Sequence, residues 1–399
     1  MTSSTSSSRR PFVLALLTIV IGMGISLGIV RAFTYFAGAT TSSILSRVTE
    51  ARAALPRIVQ EPQDLVISFG SSMTEAAFGA RQFDREMAER GVDVKSFNFG
   101  FGGLNPFFQD YLSRRIRDEF VTNDRRLKLA LIEFTPLQNT KARYRGAEGS
   151  IESFITMLAS DEEIRELFWQ DIERGIRIAN IRYLRDNISA EMITSELGDQ
   201  WFGSERPDSG VEGDAEAEAR VQEIADIVNA RFEEDYPDYV NSDWSYEWQG
   251  AGTIPEERSE DTLRLFRELY EALRTEKHMS DDRLWRIQCC DIEVLDFEEE
   301  LIAGFIRTVN NFKEFSDHVE IILLPRNHDW IGRPPEAEER LRYVLERVAR
   351  ETGVTIHSFE DAPEITPDMY SDTTHLSRYN GDVAYTNLLV ERYAPVMAR

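Results

Sequence analysis

Two kinds of hydrophobic pattern alternate along this chain. Residues 64–69, DLVISF, form a short apolar run rich in branched side chains, the pattern of a strand buried on both faces. TEAAFGARQFDREMAERG follows with helical spacing to about Gly91. A second strand pattern, VKSFNFGFGG, leads into the helical FFQDYLSRRIRDEF, and the apolar LKLALIEF ends at Phe134. This β-α-β-α-β rhythm predicts a parallel sheet flanked by helices. Between 141 and 300 no comparable strand pattern occurs. Amphipathic stretches such as SFITMLASDEEIRELFWQDIERGIRIANIRYLRDNI and DTLRLFRELYEALRTEKH predict helices there, separated by the polar loop GSERPDSGVEGDAEAEAR. The rhythm then resumes with the helix DFEEELIAGFIRTVNNFKEF, the strand VEIILLP, the helix EAEERLRYVLERVARETG, the strand VTIHSF and a last helix. The pattern describes one α/β domain interrupted by a helical insertion, with no internal repeat.

The N-terminus carries a different signal. Residues 12–30, FVLALLTIVIGMGISLGIV, are uncharged and almost wholly apolar, and as a helix they would be about 28 Å long, close to the hydrocarbon thickness of a bilayer. Arg9 and Arg10 precede the segment, so the positive-inside rule keeps the N-terminus cytoplasmic and exports the remainder. The alternative is a signal peptide cleaved at Ala37-Gly38-Ala39, although its apolar region would be long for that role. Gly24 and Gly28 form a GxxxG, a spacing common in membrane helices with or without dimerisation. The expected organisation is a cytoplasmic tip and anchor at 1–33, a linker or helix at 34–60, the first part of the α/β domain at 61–140, the helical insertion at 141–300, and the second part of the α/β domain at 301–399.

Charge narrows the function classes. With 70 acidic against 45 basic residues, the formal net charge is −25, which argues against nucleic acid and against a polyanion held by bulk charge. Solubility accounts for the acidity. The only cysteines, Cys289 and Cys290, are adjacent; neighbouring cysteines rarely bond to each other, so they are expected as buried apolar residues or a minor redox feature. No spacing of histidines and acids supplies three convergent ligands, so neither a metal nor a cofactor is expected.

Three motifs carry the chemistry. Gly70-Ser71-Ser72 ends the first strand and opens a helix, which places a serine hydroxyl at a strand's carboxyl end beside a helix N-terminus. Asn98-Phe99-Gly100-Phe101-Gly102-Gly103 follows the second strand; without a downstream acid of the usual kind it is not a dinucleotide fingerprint. Asp372-Thr373-Thr374-His375-Leu376 precedes the last helix, and an acid three residues from a histidine can orient its imidazole. Alone, such a serine is more often a helix cap, and Ser72 or Thr74 would serve as one. The order of the three motifs, each at a strand's carboxyl end, favours nucleophilic catalysis.

These motifs resemble the first, second and fifth blocks of the SGNH (GDSL-type) hydrolase superfamily, across the two α/β stretches but not the insertion. The resemblance implies a three-layer α/β/α domain. It also implies Ser72 as nucleophile, His375 as general base and Asp372 as its orienting acid, with the backbone amides of Ser72 and Gly103 as oxyanion donors. Two departures stand out. The family's Gly-Asp-Ser is here Gly70-Ser71-Ser72, and the third block, Gly-x-Asn-Asp, is replaced by Glu133-Phe134-Thr135-Pro136-Leu137-Gln138-Asn139, leaving Gln138 and Asn139 as candidates for the side-chain oxyanion donor. With its N-terminal membrane helix, long helical insertion and terminal D-x-x-H-L-x-x-x-x-G through Gly381, the layout resembles DltD-like membrane-anchored SGNH proteins. Those work beside a membrane-bound O-acyltransferase in esterifying envelope polymers, and the resemblance implies such a partner.

Other residues add less. Arg326, Asn327 and His328 follow the strand VEIILLP and are expected on the rim of the site, with Arg326 suited to a carboxylate or sugar hydroxyl; a helix-capping loop is the plainer reading. His318 and His357 flank strands and read as structural, and His278 lies on an exposed helix. The aromatic stretch from Asp235-Tyr236-Pro237-Asp238-Tyr239 through Trp244, Tyr246 and Trp248 would stack on sugar rings or pack an irregular loop onto the insertion. The sequence therefore leads to an enzyme anchored in the inner membrane and facing the periplasm, an O-acyltransferase for an envelope or exopolysaccharide hydroxyl working through an acyl-serine. A periplasmic esterase or deacetylase, or a non-catalytic polysaccharide-assembly partner, are the alternatives.

Overall fold

The computed structural model describes residues 9–36, 43–148, 151–184, 207–213, 215–235 and 260–398. Contacts divide the chain into two compact units, Met1–Ser43 with Gly149–Ser204, and Ile44–Glu148 with Glu205–Arg399. In the first unit, helix α1 (Arg9–Phe36) contains the apolar segment Pro11–Ile29, with mean hydropathy 2.5 and no residue of that window buried. It has the length and composition of a single membrane span or a signal sequence. The same unit holds α7 (Ile151–Leu158), α8 (Asp161–Gln170) and α9 (Ile172–Leu184). Ser160 and Glu163 close a capping box that starts α8.

The second unit is α/β. Helix α2 (Ser43–Ile58) precedes β1 (Asp64–Ser71), α3 (Ser72–Ala77), α4 (Ala80–Glu89), β2 (Val94–Phe101), α5 (Pro106–Thr122) and β3 (Leu127–Glu133). A 3₁₀ turn at Pro136–Asn139 and α6 (Lys141–Ala147) follow. After α10 (Ala215–Asp235), α11 (Glu260–Leu273), α12 (Glu276–Cys290) and α13 (Glu299–Phe315), the sheet resumes with β4 (Ser316–Leu323), α14 (Pro335–Thr352), β5 (Ile356–Ser358) and α15 (Gly381–Met397). All five strands are parallel, in the order β2-β1-β3-β4-β5. The order reverses between β1 and β3, so the carboxyl ends of those two strands flank a switch-point crevice, the usual binding position in open α/β sheets.

The continuous apolar runs are explained by helices on both faces. On one face Val66 of β1, Leu129 and Leu131 of β3 and Ile322 of β4 join Phe83 of α4 and Tyr385, Leu389 and Tyr393 of α15 in a single core. On the other, Phe69 meets Phe312 of α13 at 5.1 Å between ring centroids, and Phe134 meets Phe305 at 5.0 Å. Period-two alternation thus places Glu133, in register with Leu129 and Leu131, on the α15 face.

Two expectations are corrected. The single helix expected to Gly91 is broken into α3 and α4, because the Asn98 side-chain amide donates to the carbonyls of Thr74, Glu75 and Phe78 at 3.3, 3.2 and 2.8 Å. Gly79 N then donates to Thr386 Oγ1 at 2.9 Å rather than continuing the helix. Cys289 and Cys290, expected outside any disulfide, are bonded to each other. They lie where α12 ends and Asp291 turns left-handed at φ 52°, so the pair sits at a helix terminus rather than inside a regular helix.

Candidate active site

The serine pair at the end of β1 divides its labour. Ser71 is the N-cap of α3; its Oγ accepts from Met73 N at 3.2 Å, and the residue is buried. Ser72, the first residue of α3, is thereby left out of the cap, and its Oγ lies 2.8 Å from His375 Nε2. His375 Nδ1 is 2.7 Å from Asp372 Oδ2. The network assigns the proton on Nδ1 to Asp372, leaving Nε2 to accept from the Ser72 hydroxyl. Serine, imidazole and carboxylate form one unbroken relay, and the arrangement can generate an alkoxide at Ser72.

Asp372 is fixed from several sides. Its Oδ1 accepts from the backbone amides of Thr374 and His375, each at 2.7 Å. Arg286 of α12 donates from Nη2 to Asp372 Oδ2 at 3.2 Å and pairs with Asp282 one turn earlier at 3.4 Å. Asp282 in turn accepts from Thr373 N at 3.1 Å and from the Thr373 hydroxyl. Burial acts to raise the Asp372 pKa, but the charge and hydrogen bonds of His375 and the charge of Arg286 outweigh it and hold the carboxyl well below the usual carboxylate range. Asp372 is therefore ionised and held toward His375 at neutral pH.

Behind Ser72 lies Glu133, the last residue of β3, which is 3 % exposed. Its Oε2 accepts from Ser71 N at 2.8 Å, from Thr74 N at 3.1 Å and from the Thr74 hydroxyl. Its Oε1 meets only hydroxyls, Ser71 Oγ at 2.8 Å and Thr135 Oγ1. Burial pushes its pKa up, opposed by the hydrogen bonds from Thr74 and Ser71. Gly70 is required here, because a Cβ would come 2.2 Å from Glu133 Oε2 and 2.3 Å from Thr74 Oγ1. Glu133 thus anchors the strand-to-helix turn that presents Ser72.

The glycine loop after β2 forms the opposite wall. Gly103 adopts φ 72°, open to glycine, and a Cβ on Gly102 would lie 3.8 Å from that of Ser72. Gly102 N is taken by Glu75 Oε2 at 3.1 Å, and Arg47 of α2 holds Gly100 O at 2.9 Å. As the first helical residue, Ser72 has an amide with no carbonyl partner in α3. The two expected side-chain donors are placed differently. Asn139 is fully buried and donates to Thr135 O at 2.8 Å, while Gln138 Oε1 accepts from Arg143 Nε at 2.7 Å. Arg143 also donates from Nη2 to Gly103 O at 2.6 Å.

A cavity beside the relay is lined by Met73, Thr374, Glu133, Leu137, Arg326 and Asn327, among others. Arg326 is paired with Glu338 at 2.9 Å, and Asn327 is 1 % exposed. His328 is outside the cavity lining, on the surface, 3.0 Å from Glu360 O and from Asp361 Oδ1. His318 is exposed on β4, His357 is half-buried on β5 and lowered in pKa by burial, and His278, expected on an exposed helix, is half-buried near the start of α12. Among the described residues no cluster of histidines, cysteines and acids could hold a metal. The aromatic stretch from Tyr236 to Trp248 and the Ala37-Gly38-Ala39 site lie outside the described residues.

Sequence reasoning missed Glu133, Arg286, Asp282 and Arg143 as members of this site. An acid ending the otherwise apolar strand LKLALIE was the one available signal for Glu133. The other three sit on helices with nothing in the sequence to mark them. Comparison of the chain with protein-family models and with curated proteins finds no match.

Proposed function

We propose that this chain is a membrane-anchored serine enzyme of SGNH type that acts on O-esters, transferring an acyl group to a hydroxyl of an envelope or exopolysaccharide through an acyl-serine. The observation that carries the reading is the relay from Ser72 through His375 to Asp372, at 2.8 and 2.7 Å. His375 Nε2 takes the Ser72 proton as Oγ attacks the acyl carbonyl carbon, and the carbonyl π electrons move onto oxygen. The amides of Ser72 and Gly103 receive that oxyanion. Its collapse expels the leaving alcohol, which takes the proton back from His375, and leaves acyl-Ser72. A second hydroxyl, from the acceptor, repeats the steps in reverse. The apolar part of the neighbouring cavity, at Met73 and Leu137, suits the acyl group. Arg9 and Arg10 before the apolar helix support an orientation with this domain outside the cytoplasm, where a membrane-bound O-acyltransferase would supply the acyl group.

The test is labelling of the purified full-length protein with a fluorophosphonate, with the modified residue mapped by mass spectrometry. Modification of Ser72, lost in Ser72→Ala with the fold intact, is the expected result; an unlabelled folded protein would refute the enzyme reading. With p-nitrophenyl acetate a transferase gives a burst equal to the enzyme concentration and slow turnover, accelerated by a hydroxyl-rich glycan that becomes esterified. Fast hydrolysis indifferent to any glycan would identify an esterase instead.

A further inference from the structure

After β3, Asn139 is turned into the interior and Gln138 Oε1 accepts from a cation, Arg143. We propose that Arg143 supplies the third oxyanion donor, a guanidinium held in the wall of the site to receive the negative charge that develops when Ser72 attacks; this rests on the acyl-transfer reading above.

Nε of Arg143 is bonded to the neutral amide oxygen of Gln138 at 2.7 Å, and Nη2 to the carbonyl of Gly103 at 2.6 Å. Among the described residues no carboxylate pairs with it, and the charge that it feels is a like one, Arg286, which acts with burial to lower its pKa. Other arginines nearby are neutralised: Arg286 by Asp282 and Asp372, Arg326 by Glu338, Arg333 by Glu360. A partly buried cation with no carboxylate partner is unfavourable in the resting protein and is placed to receive an arriving anion. At this site the reaction itself produces one.

Position supports the assignment. Arg143 grips Gly103, whose loop abuts Ser72 through Gly102. Asn139 Nδ2 is committed to Thr135 O, and Gln138 Oε1 braces this guanidinium. Nη1 of Arg143 has no protein partner and is not sealed in the interior. A charged donor there is stronger toward an oxyanion than a neutral amide.

The experiment measures the rate at which an uncharged alkyl fluorophosphonate modifies Ser72 in the full-length protein, together with kcat and KM for p-nitrophenyl acetate. Wild type, Arg143→Gln, Arg143→Lys and Arg143→Ala are compared, folding being checked by circular dichroism. Arg143→Gln is expected to slow labelling and kcat by about 10²-fold with KM unchanged and the pH profile unmoved, the loss expected of one oxyanion donor. Arg143→Lys should recover part of the rate, and millimolar guanidinium should partly rescue Arg143→Ala. Wild-type rates in folded Arg143→Gln would overturn the proposal while leaving the acyl-transfer reading intact. So would a loss confined to KM for anionic esters, which would make Arg143 a substrate-anion site. Failure of wild type to label at Ser72 would overturn both.

Discussion

Glu133 offers the sharpest test of how Ser72 is held. Replacing it with alanine leaves the Ser71 and Thr74 amides, now bonded at 2.8 and 3.1 Å, facing a void in a place that water reaches poorly. An orphaned buried donor costs about 1–3 kcal/mol, and the hydroxyls of Ser71, Thr74 and Thr135 can rotate to limit their own loss. With the emptied side-chain volume added, Glu133→Ala should lose about 3–6 kcal/mol, a large share of the stability of an ordinary domain. Glutamine is different. Both amides address Oε2 and only hydroxyls address Oε1, so a glutamine with its oxygen toward the amides reproduces the protonated acid, its nitrogen donating to hydroxyls that can accept. Glu133→Gln should therefore stay within about 1.5 kcal/mol of wild type and keep Ser72 reactive. A second readout follows from the raised pKa of Glu133. Stability from such a group is present below its unfolded value and is lost as pH rises through the folded value. The advantage of wild type over Glu133→Gln should accordingly shrink from acid toward neutral pH. Denaturant unfolding followed by tryptophan fluorescence, run beside fluorophosphonate labelling, measures both. Equal damage by glutamine and alanine, or an advantage that grows with pH, would refute the neutral-acid argument.

The other predictions concern the dyad, Arg286 and the topology set by the apolar N-terminal helix. Asp372→Asn should cut kcat by about four orders of magnitude, as the wrong tautomer of His375 is favoured. Because the Asp372 carboxyl is depressed in the fold, its contribution to stability exists above about pH 3.9, its unfolded value, and is lost as pH falls through the folded value; the stability gap between wild type and Asp372→Asn should be widest near neutrality and close in acid. Arg286→Gln should lower kcat by about tenfold, the equivalent of about 1.4 kcal/mol for one charge-assisted hydrogen bond, with Arg286→Lys intermediate in a labelling assay. A cysteine introduced at exposed Glu339 should react with a membrane-impermeant thiol reagent once the outer membrane is permeabilised; protection until the inner membrane is lysed would place the domain in the cytoplasm.

The strands were legible because burial on both faces, which β1, β2 and β3 keep along almost their whole length, writes largely apolar runs in β1 and β3. Ser72, Asp372 and His375 were legible for a related reason: strand ends and short spacings are local, and the topology that brings residue 72 to residue 375 follows from parallel pairing. The break between α3 and α4 was not legible, since it is made by Asn98 from the neighbouring strand end. Nor was the bond between Cys289 and Cys290, which depends on where α12 stops. The charged residues around the relay were hidden because long-range ion pairs leave no periodic trace. Arg286 reads as one more arginine on a helix until Asp372, 86 positions later, is folded beside it.

That placement changes what the helical stretch is for. The loop carrying Asp372 and His375 has little regular structure; it is closed by Ser371 N donating to His375 O at 2.9 Å, by Ser377 N donating to Met369 O at 2.8 Å, and by the bridge between Tyr370 and Leu376. These bonds fix the shape of the loop, and the Thr374 and His375 amides hold Asp372 Oδ1 from within it. Helix α12 adds a second hold on the other carboxylate oxygen, where Asp282 takes Thr373 and Arg286 takes Asp372 from two positions one helical turn apart. A rigid helix thereby presents two opposite charges to consecutive residues of the loop, and a rotation of the carboxylate away from His375 would break a partly buried ion pair as well as a hydrogen bond. Helix α12 is thus part of the framework that orients His375, which is why a sequence reading restricted to the α/β blocks finds Ser72, Asp372 and His375 but not the charges that set them.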